Sequence, residues 1–150
     1  MDASGYRRVR WLLAVVAMSV FVGCGGGGQS DQRLGEFTIY VHGGSLLPRA
    51  GEDALIEGVL ATREGCVLIE RDDGDSYPVV WPSGTSIIDD DPLTLELPGG
   101  DHLEVGQRVS GGGGGHDATS ERVEVDIDAS CLGDSGSVMV FNPDEKLTVR

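Results

Sequence analysis

The residues best able to do chemistry in this chain are one serine in a turn-like run, three histidines and three cysteines. Cys131 to Phe141 reads CLGDSGSVMVF, which sets Ser135 between Asp134 and Gly136. A serine hydroxyl is a weak nucleophile until an adjacent base takes its proton. The histidines that could serve are His42, His102 and His116, widely separated along the chain. None carries a flanking motif that would deliver it to Ser135.

The run Gly133-Asp134-Ser135-Gly136 resembles the segment that carries the nucleophile of trypsin-like serine proteases. Ser137 stands where that family has a second glycine, and no histidine lies in the family's Ala-Ala-His-Cys setting. Such enzymes are built from two barrels, whereas 150 residues leave room for one. Only 15 residues follow Ser135, too few to build a specificity pocket behind it. A turn explains the same residues more simply. Gly133 and Gly136 permit unusual backbone angles, and Asp134 and Ser135 bond their own backbone in turns. The sequence therefore predicts an exposed turn, no catalytic residue and no enzyme. A secreted serine hydrolase using Ser135 is the alternative.

Metal chemistry has little local support. The runs RDDGDS (Arg71–Ser76) and DDD (Asp89–Asp91) cluster carboxylates, which hard cations prefer. EF-hand spacing is absent, and solvated loops account for both runs. Neither Cys66 nor Cys131 has a second Cys or a His at zinc-ligand spacing. No metal and no cofactor are predicted. A weak metal-binding protein is the second alternative, and it requires His42, His102 or His116 to converge with carboxylates.

The N-terminus reads as an address. Arg7, Arg8 and Arg10 precede an apolar run of 13 residues from Trp11 to Gly23. A helix that spans a bilayer needs about 20. A basic segment followed by a short apolar run is the pattern of a secretory signal peptide, here residues 1–23. Phe21-Val22-Gly23-Cys24 then resembles the lipobox of bacterial lipoproteins, with Phe21 where the family usually has Leu. The resemblance implies diacylation of Cys24 (palmitate or a similar chain) and cleavage before it. The protein is then anchored to the cell membrane on its extracytoplasmic face. The glycine-rich GGGGQSDQ that follows suits a flexible tether, taken to cover residues 24–52.

With Cys24 lipidated, Cys66 and Cys131 remain as an even pair in an oxidising compartment, which predicts a disulfide between them. Formal net charge is −14, and removing residues 1–23 leaves 8 basic and 24 acidic side chains, a net of −16. Such a field repels polyanions, so nucleic acid is excluded as a partner.

From Asp53 onward the pattern is short apolar or alternating runs separated by turn residues. ALIEGVLAT and CVLIER, joined by REG, predict a hairpin. SYPVVW places Tyr77, Val79 and Trp81 on one face. LTLEL points Leu93, Leu95 and Leu97 inward. HLEVGQRVSG offers Leu103, Val105 and Val109, and RVEVDID alternates Val123, Val125 and Ile127 with acids. The run Gly111–Gly115 before His116 is either a loop or a strand that something must approach closely. FTIYV (Phe37–Val41) alternates too, and either pairs with the domain or stays in the tether. No stretch predicts a helix. The expectation is an all-β domain over residues 53–150, a small, partly open barrel of five or six strands with an OB-like outline.

The order of motifs over about residues 53–142, Trp-Pro, Gly-Thr, Leu-Pro-Gly-Gly, a glycine run and a late cysteine, resembles small uncharacterised bacterial lipoproteins. That resemblance implies no catalytic residues. The function expected is a non-catalytic binding or envelope module for an unknown protein or small-molecule ligand.

Overall fold

The computed structural model describes residues 30–43 and 51–150. The expected signal peptide and Cys24 lie outside the described residues. Within them the secondary structure is all β, with no helix.

The chain opens with a hairpin, β1 (Ser30–Leu34) and β2 (Phe37–Val41), turned at Gly35 and Glu36. A second hairpin joins β3 (Ala54–Arg63) to β4 (Cys66–Glu70), as the sequence predicted. Its two turn residues, Glu64 and Gly65, both have positive φ, 51° and 81°. That turn type follows the right-handed twist of the strands it connects. The remaining strands are β5 (Ser76–Trp81), β6 (Ser86–Asp90), β7 (Leu93–Glu96), β8 (His102–Glu104), β9 (Arg108–Asp117), β10 (Ser137–Phe141) and β11 (Thr148–Val149).

Six strands form a partly closed ring. β5, β10, β9, β3 and β4 pair in that order, and β4 pairs back onto β5. β2 is wedged where β4 and β5 separate, pairing Thr38 with Cys66 and Val41 with Trp81. β3 is long enough to serve two neighbours. Its first half pairs with β9 and its second half with β4. Near the change of partner stands Gly58, where any Cβ would meet Ile69 and the Glu70 carbonyl.

Inside the ring the alternation predicted from sequence is realised. Ile39, Leu60, Ile69, Val79, Val109 and Phe141 are buried in one core. Trp81 lies against Phe141 with ring centroids 5.6 Å apart, a tilted pair that adds about 0.5–1.5 kcal/mol beyond the area it buries. A separate sheet, β6-β7-β8, sends Leu93, Leu95, Leu97 and Leu103 into the same core.

Three expectations are corrected. Residues 30–43 belong to the domain, so the flexible tether does not run to residue 52 nor does the domain begin at 53. Ile39, Tyr40 and Val41 are 4% exposed or less, and the burial of FTIYV holds it in the sheet. Arg122–Asp128 is not a strand. Its alternation is real, since Val123, Val125 and Ile127 pack inward, but its backbone joins no ladder. HLEVGQRVSG is broken by a turn at Gly106 (φ 91°), and of its three apolar positions Leu103 and Val109 are buried while Val105 is exposed.

The segment Ala118–Gly136 crosses the outside of the ring. Val123, Val125, Ile127 and Leu132 pack on Tyr40, Val80, Val138 and Val140, the outward side chains of β2, β5 and β10. The Asp128 N–H donates to the Tyr40 hydroxyl at 3.0 Å. Asp117 at its start and Asp128 within it close turns by accepting from the backbone and hydroxyl of Thr119 and Ser130. These bonds favour the charged carboxylates and hold both below their ordinary range. The excursion is then locked by the Cys66–Cys131 disulfide, Cα atoms 5.5 Å apart and 65 positions apart in sequence.

A loop of that length implies roughly 4 kcal/mol of stabilisation through the unfolded chain. Denaturant unfolding of oxidised and reduced protein should differ by about 2–4 kcal/mol. Equal midpoints in the two states would show that the disulfide is not what holds the excursion down.

Candidate functional site

The glycine run is a strand that is approached closely from both sides. On the inner face, a Cβ at Gly111 would meet Leu147, and one at Gly113 would meet the Val140 carbonyl and Ile56. On the outer face, a Cβ at Gly114 would meet the Glu52 carboxylate, and one at Gly112 would meet Asn142 and Glu145. The bare outer face of β9 is therefore a seat for polar side chains.

Glu52 lies over that seat. His116, at the end of the glycine run, donates from Nε2 to Glu52 Oε2 at 2.8 Å. Asn142, just past β10, clamps the Glu52 backbone in both directions. It accepts from the Glu52 N–H at 2.8 Å and donates to the Glu52 carbonyl at 3.1 Å. Across from this pair stands His42, just past β2 and 6% exposed, which donates from Nε2 to the Phe141 carbonyl at 2.9 Å.

Between these groups and the excursion lies a cavity of about 300 Å³. Its polar lining includes His42, Glu52, His116, Arg122, Glu124 and Asn142, over an apolar floor of Val140 and Phe141. The volume falls at the lower end of small-molecule sites. Two imidazoles, several carboxylates, a guanidinium and an amide can recognise a polar ligand. The described lining carries no hydroxyl and no thiol, so it offers no nucleophile of those kinds.

Of the sequence candidates, the structure brings His42 and His116 to one cavity and leaves His102 on β8, exposed. Among the described residues no group of three or more His, Cys, Asp or Glu side chains is arranged to hold a metal ion. Ser135 sits in an exposed turn, as expected. Its Oγ accepts from the Ser137 N–H at 3.3 Å, and Gly136 N–H closes the turn on the Gly133 carbonyl at 3.0 Å. The groove beside it is lined by Arg63, Asp75, Tyr77 and Asp134, with no histidine among its described residues.

Glu52, Arg122, Glu124 and Asn142 were missed in the sequence. Glu52 fell in the presumed tether and Asn142 in a loop, with no motif around either. One signal did point here. Consecutive glycines inside a strand mark a backbone that another group must approach closely.

No family model matches the chain. No curated protein matches it, and no solved structure matches its fold.

The Asn142 clamp gives a direct test. Asn142→Ala leaves the Glu52 N–H and carbonyl without their partner and should destabilise the protein by about 1–3 kcal/mol in chemical denaturation. His116→Ala removes one partly exposed side-chain hydrogen bond and should lower stability by less. An Asn142→Ala effect no larger than that of His116→Ala would show that Asn142 does not position Glu52.

Proposed function

We propose that this protein is a lipid-anchored, extracytoplasmic, non-catalytic binding module held to the cell membrane through Cys24. The observation that carries the reading is the Cys66–Cys131 disulfide in so small a domain. Disulfides that persist belong to oxidising compartments. The short apolar run before Cys24 supplies the matching export signal. Two acyl chains on Cys24 supply stable attachment, since each buried CH₂ contributes about 0.8 kcal/mol.

The hairpin β1–β2 tightens the picture. The first strand begins at Ser30, six positions after Cys24. That length of chain reaches at most roughly 20 Å. The domain therefore works close to the lipid surface. Binding is supported over catalysis by the polar cavity, whose His116–Glu52 and His42–Phe141 bonds hold both imidazoles in place.

Cys24→Ala should release the protein into the medium or leave an unprocessed precursor, with loss of labelled palmitate. Equal palmitate on mutant and parent would refute the anchor. For the non-catalytic part, a fluorophosphonate should fail to label the disulfide-bonded protein. Labelling abolished both by Ser135→Ala and by replacing one histidine would instead establish an activated serine.

A further inference from the structure

One glycine of the run has no packing reason to be glycine. A Cβ at Gly115 would meet only the Sδ and Cε of Met139, at 3.7 and 3.8 Å, which is ordinary contact. Its φ lies outside the left-handed region, so any L residue fits the backbone. Gly115 pairs with Met139 in the β9–β10 ladder, so a side chain there would lie on the Met139 side of the sheet.

That side opens on a second cavity, of about 630 Å³, at the open mouth of the ring. Ile56, Ile69 and Met139 form its apolar floor, and Gly114 and Gly115 form one wall. Leu55, 70% exposed, stands at its lip. Ile56 and Ile69 are buried core residues, so the cavity stops on the edge of the packed core.

The rim is braced. Arg108 on β9 bonds Asp72 in the β4–β5 turn at 2.6 Å and Glu57 on β3 at 3.4 Å. It thus ties together three elements around the mouth. The Arg108 guanidinium holds the Asp72 carboxyl below its usual range, first by hydrogen bonding and then by charge. Arg71 and Asp73 pair beside it at 3.9 Å. With its charges engaged by one another, the rim selects weakly for ligand charge, and recognition falls to the apolar floor. A preformed cavity in the mouth of a β ring, apolar within and polar at the edge, is the usual form of a small-molecule site.

We propose that the ring mouth binds a compact apolar group, an aromatic ring or a short acyl chain, in the space that Gly115 leaves open. The site is distinct from the polar cavity and independent of the membrane anchor.

Methyl labelling of methionine reads it directly. The chain has three methionines, Met1, Met18 and Met139, and only Met139 lies among the described residues. The full chain, carrying Cys24→Ser so that no acyl chain is attached, is titrated with toluene and separately with 1-hexanol. The Met139 methyl resonance should move and saturate with at least one of them, and which one does so separates the aromatic from the acyl source. Gly115→Leu fills the mouth and should abolish the saturable shift. Gly115→Ala, which any packing argument tolerates, should keep the fold and weaken binding several-fold. Ser135→Ala should bind as the parent does. Absence of a saturable shift with both probes overturns the proposal. So does a shift that survives Gly115→Leu or, if that variant does not fold, affinity in Gly115→Ala equal to the parent.

Discussion

The structure depends on a strand whose middle has no side chains. Gly111–Gly114 lets β9 be packed at van der Waals distance from Leu147 and Ile56 inside the ring and from Glu52 and Asn142 outside it. Each glycine in a strand loses about 0.5–1 kcal/mol relative to alanine through backbone entropy. The strand survives because it is paired along both edges, to β3 over Gly111–Gly113 and to β10 over Gly113–Asp117. Hydrogen bonds on both sides hold what side chains cannot. The polar cavity and the ring mouth both exist because this wall is thin.

The outer face is organised by a different constraint. β2, β5 and β10 present Tyr40, Val80, Val138 and Val140 outward, which leaves an apolar strip that water would otherwise meet. The excursion Ala118–Gly136 covers it without adding a strand. It has few backbone bonds to the ring, so it is held by buried valines, by the Asp128–Tyr40 bond and by the disulfide. Cys131 also packs with Cys66, Leu68 and Ile127. One covalent bond thus closes the roof of the polar cavity from a distance.

The acidity of the chain is spread over exposed turns more than gathered at either cavity. Asp117 and Asp128 serve as turn acceptors, and Asp72 as a counter-ion for Arg108. The same carboxylates that contribute to the net charge of −14 also secure local geometry.

Much of the fold was legible in the residues themselves. Alternation located the inward faces of β2, β5 and β7, and REG marked the hairpin turn between β3 and β4. Alternation also led to an error at Arg122–Asp128. A period of two reports an extended backbone with one face buried, and a ladder is a separate condition that depends on a partner strand. β6 carries no clear alternation and β11 is two residues long, so they were not visible. The disulfide joins Cys66 and Cys131, the two cysteines that remained to pair on the reading of Cys24 as a lipidation site. The turn at Ser135 followed from side-chain chemistry alone. What only the tertiary structure decided is which distant groups meet. Glu52 reaches His116 across 64 positions and Asn142 reaches Glu52 across 90, through ring closure that no local window encodes. The glycine run showed that something must come close to β9. Only packing in three dimensions could say that Glu52 and Asn142 do so on one face and the core on the other.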